Sequence, residues 1–405
     1  MNTPKIRFKG FTDDWEQRKF SDLYVKVSEK NDLSFGADKI ISVANMYFKQ
    51  DIKESSDDYM KTYNVMRLGD IAFEGNKSKN YAHGRFVENT IGDGIVSHVF
   101  DVFRPIVDYD LSYWKYFINN EGIMGRIMAR CTKSSTMMTN LVANDFLKEF
   151  VLVPALAEQK EIGEYFRNLD NLITLHQRKC DETKQLKKFM LQKMFPKNGE
   201  KNPEIRFKGF TDDWEQRKLG ELGKATGGTS IESEFSAEGV YKVISIGSYS
   251  ENSVYNDQGI RAIKSDKTNN RVLNRNDLTM ILNDKTTSGN IIGRVLLIEE
   301  SGIYVYNQRT ERIEINVEEY DPVFLYEMLN APNIREKIIK QSQGNTQIYV
   351  NWSAISLLDY MIPSKEEQVK IGEYLHNISH LITLHQRKCE KLKELKKFML
   401  QNMFV

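Results

Sequence analysis

Two segments of this 405-residue chain occur twice without change. Residues 6–19 read IRFKGFTDDWEQRK, and the same fourteen residues recur as residues 205–218. Near the other end of each half, residues 172–180 (LITLHQRKC) recur as residues 381–389. Repetition at this spacing predicts two structural units of like geometry. The aromatic residues of the opening repeat are predicted to pack at the entrance of each unit.

The segments between the repeats share little sequence similarity. Each half therefore consists of repeated segments, here called the frame, around a segment of its own, here called the insert. The inserts span residues 21–148 and 221–359. Apolar residues at helical spacing predict a helix in each insert, over residues 110–128 and 321–339. Runs of β-branched and aromatic residues between turn signals predict strands. The predicted strands cover residues 38–43, 65–73, 94–102, 240–246, 271–282 and 291–298.

Each half is predicted to close with a long helix, over residues 158–195 and 367–404. Apolar residues recur along both helices at heptad spacing, so one stripe of each must be buried. Because the two helices match, we predict that they pair in antiparallel orientation about a pseudo-two-fold axis. The residues predicted to pair are Ile162, Leu169, Leu172, His176 and Leu186 in the first helix, with Ile371, Ile378, Leu381, His385, Leu392 and Leu395 in the second.

His176 and His385 lie at the middle of the two helices. Antiparallel pairing would bring them close to the axis, where polar residues can fix the register. The alternative is that they face solvent or a partner protein.

The predicted fold class is α+β, with two mixed α/β domains joined by two long antiparallel helices as a coiled coil with internal pseudo-two-fold symmetry. The predicted boundaries are 1–154 for the first domain, 155–195 for the central helix, 196–203 for a linker, 204–363 for the second domain and 364–405 for the closing helix.

Charge and composition exclude several classes of protein. The 57 basic residues balance 56 acidic ones, and no run approaches the roughly 18 apolar residues that cross a membrane. The start of the chain has no apolar signal core. Three scattered cysteines predict neither a disulfide framework nor a metal site. A cytoplasmic protein that is not inserted in a membrane is expected.

The sequence contains no familiar catalytic signature. Phosphate-binding glycine loops, a Gly-x-Ser-x-Gly elbow, a His-Glu-x-x-His helix and an Asn-Pro-Pro-Tyr loop are all absent. His376 and His380 have helical spacing but no evident third ligand, which favours a structural role. No catalytic residue and no metal ligand is predicted.

The inserts do carry polar, basic loops. Arg and Lys suit guanine edges, Asn and Gln suit adenine edges, and Ser, Thr and Lys suit phosphates. For any one such residue, an ordinary solvated loop is the alternative. The candidate DNA-binding residues are Lys77, Lys79, Asn80, Tyr81, His83, Arg85, Lys133, Ser134, Ser135 and Thr136 in the first insert, with Lys285, Thr286, Thr287, Ser288, Asn290, Arg294, Gln308, Arg309, Gln343, Asn345, Thr346 and Gln347 in the second.

These features resemble the specificity subunits of type I restriction-modification systems. The likeness rests on the doubled opening, on the two exits VLVPALAEQKEIGEYF and YMIPSKEEQVKIGEYL, and on the closing helices around LITLHQRKC. The loops CTKSSTMMTN and QSQGNTQIYVNW also fit the family's pattern. The likeness covers nearly the whole chain.

The resemblance implies a non-catalytic subunit that binds double-stranded DNA through two target-recognition domains, each reading half of a bipartite, asymmetric site. The helices would set the spacing and dock two adenine-methylating modification subunits, with two restriction subunits outside them. S-adenosylmethionine, ATP and magnesium would belong to those partners, with no cofactor in this subunit. The alternatives are a divergent methylase-nuclease and a duplicated coiled-coil scaffold without DNA affinity.

Overall fold

A computed structural model describes residues 2–50, 56–134, 138–285 and 288–405. The chain forms two compact units. Unit 1 comprises Met1–Gln177 with Arg387–Val405, and unit 2 comprises Arg178–Gln386. Both units combine helices with mainly antiparallel sheets, so the structure is of the mixed class that the sequence predicts.

Unit 1 is built on a four-stranded antiparallel sheet. Its strands, in spatial order, are Tyr24–Val27, Val102–Pro105, Ile71–Glu74 and Arg85–Glu88. Four two-stranded pairs surround it: Glu16–Lys19 with Phe150–Val153, Ile41–Ser42 with Tyr47–Phe48, Asn64–Met66 with Gly94–Val96, and Thr132–Ser134 with Thr139–Leu141. The helices of the insert are Asp57–Met60, Leu111–Ile118, Glu121–Cys131 and Ala143–Lys148.

Unit 2 has the same kind of central sheet. Its strands, in spatial order, are Gly223–Gly227, Thr310–Ile315, Leu278–Ile281 and Val295–Leu297. The other strands are Arg261–Ala262, Tyr241–Ile244 and Tyr304–Tyr306 in one sheet, with the pairs Glu215–Lys218 with Asp359–Ile362 and Asn283–Asp284 with Ile348–Tyr349. The insert's helices are Asp266–Asn269, Pro322–Asn330, Pro332–Ile339 and Trp352–Ile355.

Several predicted elements are shorter or divided. The run 65–73 contains two strands, because the chain turns at Gly69, where φ is 86°. Each long insert helix is two helices. The first divides at Asn120, whose side chain accepts from the Gly122 amide at 3.0 Å, and the second at Pro332, which has no amide hydrogen to donate.

The two closing helices are Leu156–Lys193 and Lys365–Asn402, each 38 residues long. Each gives its first part to one unit and its second part to the other. In unit 1 the segments run antiparallel: Phe404 stacks on Phe166 with ring centroids 5.6 Å apart, and the Cys389 thiol lies 3.7 Å from Gln177 Oε1.

The buried stripe of these helices differs from the predicted one in one column. Ile162, Leu169, Ile371 and Ile378 are buried, Leu392 packs against the unit 1 core, and His176 and His385 are half-buried. Four predicted residues instead point outward, with 40–46% exposure: Leu172, Leu186, Leu381 and Leu395.

The second buried column lies one residue later than predicted, at Phe166 and Cys180 in the first helix and at Leu375 and Cys389 in the second. Leu172 is followed by Ile173, and either apolar residue satisfies the spacing. Sequence alone therefore could not fix this column.

A buried ion pair joins the repeated opening to the start of each long helix. Arg7 donates through Nε and Nη2 to Glu158 at 2.7 and 2.8 Å, and Arg206 binds Glu367 at the same two distances. Both glutamates are 1% exposed or less. Trp15 and Trp214 are each 2% exposed, as predicted for the packed entrance.

A second contact found in both units holds an insert helix against the long helix. The insert helices are Leu111–Ile118 in unit 1 and Pro322–Asn330 in unit 2. The Tyr113 amide donates to Asp110 Oδ1 at 2.8 Å, and the Asp110 amide donates to Gln159 Oε1 at 3.1 Å. The approach is close enough that a Cβ on Gly163 would lie 2.3 Å from Asp110 Oδ1. Gly372 has the same relation to Asp321 in unit 2, at 2.8 Å.

The core of unit 1 also contains a buried carboxyl group, that of Glu88. Glu88 is 2% exposed, and neither carboxyl oxygen has a hydrogen-bond partner among the described residues. Burial raises the pKa of Glu88 well above its usual value. The folded protein therefore binds this proton more tightly than the unfolded chain does.

We expect Gly163→Ala to destabilise unit 1 by about 1–3 kcal/mol, because the new methyl group overlaps a capping carboxylate and a backbone nitrogen. This sign is opposite to that of helix propensity, which favours Ala over Gly by about 1 kcal/mol. Gly125→Ala is the control, because its methyl group would meet only the flexible Glu121 side chain. Thermal unfolding of both variants decides, and equal midpoints would contradict the expectation.

We expect Glu88→Gln to stabilise the protein by at least about 1 kcal/mol at pH 8, because Glu88 ionises freely in the unfolded chain whereas the folded core disfavours its charged form. The folded pKa lies above the unfolded one, so the stability that Glu88 contributes is complete below the unfolded pKa and falls as pH rises toward the folded value. The advantage of the variant should therefore shrink between pH 8 and pH 4. Chemical unfolding at both pH values measures it, and an advantage independent of pH would refute the argument.

Candidate nucleic-acid interface

The two candidate loops of unit 1 form one surface. Lys77 Nζ donates to Ser134 Oγ at 3.1 Å, and Asn76 forms a β-bridge with Met138. The amide of Thr139 donates to the Gly75 carbonyl at 2.8 Å. Two stretches more than fifty residues apart in sequence therefore lie side by side.

Most candidate side chains on this surface point outward. Lys77, Lys79, Asn80, Lys133 and Ser134 are exposed, whereas Tyr81 and His83 are half-buried. Within the described part of the chain, the side chains of Lys79, Asn80 and Lys133 have no hydrogen-bond or ion-pair partner. Ser135 and Thr136 lie outside the described residues.

Arg85 differs from the prediction, because its side chain is held by the protein. Its guanidinium stacks on the Tyr81 ring at 4.9 Å, lies 3.6 Å from Glu74 and donates to the Ala44 carbonyl. These contacts hold the Tyr81 loop to the central sheet. Arg85 thus supports the surface, and its Nη2 group donates within the protein.

In unit 2, three candidate segments converge. Asn283–Asp284 pairs with Ile348–Tyr349, and Gln343 and Tyr349 exchange two backbone hydrogen bonds of 2.9 Å. The third segment, which contains Gln308 and Arg309, meets the other two at a cleft of about 360 Å³. Lys285 and Gln347 also line this cleft.

Arg309 is an available cation of this cleft. It is exposed, its backbone is left-handed with φ 69°, and its guanidinium has no partner among the described residues. Gln308, by contrast, donates to Glu232 at 3.0 Å. The other exposed candidates are Lys285, Ser288, Gln343, Asn345, Thr346 and Gln347. Thr286 and Thr287 lie outside the described residues.

Arg294 and Asn290 both make contacts within unit 2, where Arg294 is half-buried and Asn290 is exposed. Arg294 Nη1 donates to Ser253 Oγ at 3.0 Å, and desolvation lowers the pKa of this half-buried guanidinium. Asn290 Nδ2 donates to Glu251 at 2.7 Å. Composition alone could not separate these residues from ones that face a ligand.

Sequence reasoning missed Arg335, which organises the loop before Arg294. Only 8% exposed, it donates to the carbonyls of Gly289 at 2.6 Å, Asn290 at 2.8 Å and Ile292 at 2.8 Å. Burial lowers the pKa of Arg335 to about 10. Its position between Ile334 and Ile338 on an apolar helix face was the signal that could have found it.

Glu311 was also missed. It lines a second cleft of about 440 Å³ together with Arg309, Tyr349 and Trp352. Glu311 is 5% exposed, and burial raises its pKa to about 7. An exposed arginine donor thus lies in the same cleft as a buried carboxyl acceptor, and this combination matches the mixed acceptors and donors of base edges.

Two further searches covered the described residues. They contain no group of three or more His, Cys, Asp or Glu side chains arranged to hold a metal ion. None of their helices is both long enough and apolar enough to cross a membrane.

Comparison with known proteins agrees with this geometry. Residues 211–394 match the family model described as type I restriction modification DNA specificity domain. The type I restriction enzyme MjaVIII specificity subunit of Methanocaldococcus jannaschii is 27% identical over 253 residues, which is 60% of this chain and 59% of that relative. The match therefore spans somewhat more than half the length of the curated relative.

Solved structures give the same fold over almost the whole chain. The S subunit of a type I restriction-modification system from M. genitalium covers 100% of this chain and 99% of its own, with a TM-score of 0.60 and 12% identity. The HsdS subunit from Thermoanaerobacter tengcongensis covers 96% of each chain, with a TM-score of 0.51 and 15% identity. With its doubled frame, the chain is similar to the specificity subunits of type I restriction-modification systems, in sequence over residues 211–394 and in fold over almost its whole length.

Proposed function

We propose that this chain is the non-catalytic DNA-recognition subunit of a type I restriction-modification complex. The observation that carries the proposal is the convergence of separate polar segments into one exposed surface in each unit. Lys77 meets Ser134 in unit 1, and Lys285, Arg309 and Gln347 share a cleft in unit 2. The family model that matches residues 211–394 is described as a DNA specificity domain, which supports this proposal.

Each unit is proposed to read one half of a bipartite, asymmetric site. The two surfaces offer different groups: unit 1 exposes Lys79, Asn80 and Lys133, whereas unit 2 exposes Arg309 beside the buried Glu311. Amides suit adenine edges, and arginine suits guanine edges. Unlike side chains on a common frame therefore favour unlike half-sites.

The long helices are proposed to pair along their whole length as an antiparallel coiled coil that spaces the two recognition domains. At about 1.5 Å per residue, 38 residues extend about 57 Å. Half-sites read from one face of B-DNA lie about 34 Å apart, so a strut of this length is sufficient. This proposal includes recognition domains that span residues 1–154 and 204–363. It also includes a role for His176 and His385 in fixing the register of the two helices.

The helices are also proposed to dock two modification subunits, with two restriction subunits joining the complex. Each unit exposes four large apolar residues on its helical segments. Unit 1 has Leu172, Leu175, Leu395 and Phe398, and unit 2 has the same residue types at Leu381, Leu384, Leu186 and Phe189, all 36–52% exposed. Exposed apolar surface marks contact sites, and its exact duplication favours two copies of one partner. S-adenosylmethionine, ATP and magnesium would be bound by the partners.

We expect Arg309→Ala to relax discrimination at one base pair of one half-site by about 1–3 kcal/mol, because its free guanidinium faces the cleft. Lys285→Ala should weaken binding on all sequences and reduce the salt slope by about 1. Arg275→Ala, also exposed in unit 2, is the control. Binding of the assembled complex to a randomised duplex pool at two salt concentrations is the measurement. Equal losses on every sequence for Arg309→Ala would make it a phosphate contact.

We expect Leu175→Glu with Phe398→Glu to reduce the bound modification subunits from two to one, because charge on an apolar contact surface opposes burial. Adding Leu384→Glu and Phe189→Glu should abolish binding. Val99→Glu, at a residue 69% exposed outside the helices, is the control. Native mass spectrometry of mixtures with the modification subunit counts the copies. Retention of two copies by the fourfold variant would move the docking surface elsewhere.

A further inference from the structure

A polar layer connects each insert to the long helices, and its composition is exchanged between the units. In unit 1, Lys396 Nζ lies 2.6 Å from Asp170 Oδ1, and the Tyr116 hydroxyl donates to Asp170 Oδ2 at 2.6 Å. Lys396 also lies over the Tyr116 ring, 5.0 Å from its centroid. A carboxylate on the long helix thus receives a lysine and a hydroxyl.

In unit 2 the carboxylate comes from the insert. Lys187 Nζ lies 2.9 Å from Glu327 Oε2, and Ser379 Oγ lies 3.3 Å from Glu327 Oε1 and 2.9 Å from the Leu375 carbonyl. Glu327 is 1% exposed, and the Lys187 side chain is 21% exposed. The long helix now supplies the hydroxyl.

The two layers occupy equivalent positions. Tyr116 follows the helix cap Asp110 by six residues, as Glu327 follows Asp321. Asp170 and Ser379 each follow the close-contact glycine of their helix by seven residues. The lysine is common to both layers, because it belongs to the repeated KKFMLQ. The variable pair is therefore the insert position, 116 or 327, with the helix position, 170 or 379.

Each matched pair supplies one carboxylate to one lysine. Asp170 carries it in unit 1 and Glu327 in unit 2. A mixed pair, which combines the insert residue of one unit with the helix residue of the other, does not supply one and only one carboxylate to the lysine. Tyr116 beside a serine leaves Lys396 partly buried without a carboxylate, and a glutamate beside Asp170 brings two negative charges together at one lysine. Both states are unfavourable in a partly desolvated site.

Burial, together with the hydrogen bond to Asp170, raises the pKa of Tyr116, so its hydroxyl keeps the proton that it donates. The layer therefore depends on a neutral hydroxyl next to the carboxylate.

We propose that residues 170 and 379 are positioning residues of the recognition modules, so that each module extends beyond its insert into the long helix that follows. Tyr116 belongs to the insert 21–148, whereas Asp170 lies in the shared frame. An insert is seated correctly only when the helix residue complements it. This inference goes beyond DNA recognition, since it concerns which domain each helix accepts.

A substitution cycle in the full chain tests the pairing without reference to DNA. Asp170→Ser and Tyr116→Glu should each lower the thermal midpoint by about 2–4 °C. The double variant recreates the unit 2 charge pattern and should lose less than the sum of the two single losses, although the packing of Tyr116 on Phe166 is not restored. Additive losses in the double variant would overturn the proposal, because uncoupled sites add.

Two further variants keep this test sharp. Glu164→Ser also replaces a carboxylate by serine, at an exposed position of the same helix, and should have little effect. If a unit 1 variant fails to fold, Glu327→Tyr and Ser379→Asp give the reciprocal cycle in unit 2. The same less-than-additive loss is expected there, and additivity there would equally overturn the proposal.

Transplantation tests the module boundary directly. A chain with residues 221–359 in place of residues 21–148 pairs Glu327 with Asp170, and adding Asp170→Ser should raise its thermal midpoint by about 2–4 °C. Equal midpoints with and without Asp170→Ser would overturn the extended module. Mapping methylated sites in cells then examines the proposed function separately, because a stabilised chain that reads no new half-site would contradict recognition by the insert and not the pairing.

Discussion

The frame of each unit depends on one buried carboxylate. Glu158 is almost inaccessible to water, and a carboxylate so placed is tolerated only when paired and hydrogen-bonded. Arg7 meets this need with two bonds, so the opening segment must lie against the start of the long helix. That position covers Trp15 and aligns Glu16–Lys19 with Phe150–Val153. The ends of the insert are thereby held together whatever sequence lies between them.

This closure explains how one frame carries two unlike inserts. Arg206 and Glu367 repeat the pair in unit 2, and strand Glu215–Lys218 meets Asp359–Ile362 in the same register. Because the insert begins and ends at adjacent strands, its loops can change without altering the path of the chain outside it. Ligand-facing side chains on such loops can vary independently of the fold. The paired ends of each insert therefore allow units 1 and 2 to expose different polar surfaces.

Repetition and periodicity predicted the doubled frame, the mixed inserts and both long helices to within two residues, because these signals are written along the sequence. The buried column at Phe166 and Cys180 was missed, since adjacent apolar residues make the phase ambiguous. Arg85 and Arg294 stay predictions as DNA contacts, although their described contacts are with the protein, and Arg335 and Glu311 were overlooked. Whether a charged side chain is engaged depends on contacts between distant segments, which composition does not encode.

The exchanged polar layer follows from the same separation of frame and insert. A lysine in the repeated helix needs one carboxylate wherever it is partly buried, but it does not specify which segment supplies that group. Asp170 on the helix and Glu327 in the insert are two solutions to one electrostatic requirement. The variable pair of each solution lies within one half, since Tyr116 precedes Asp170 and Glu327 precedes Ser379 in sequence, while the lysine comes from the helix of the other half. A half-chain therefore carries its own match, whereas an insert moved alone leaves half of that match behind.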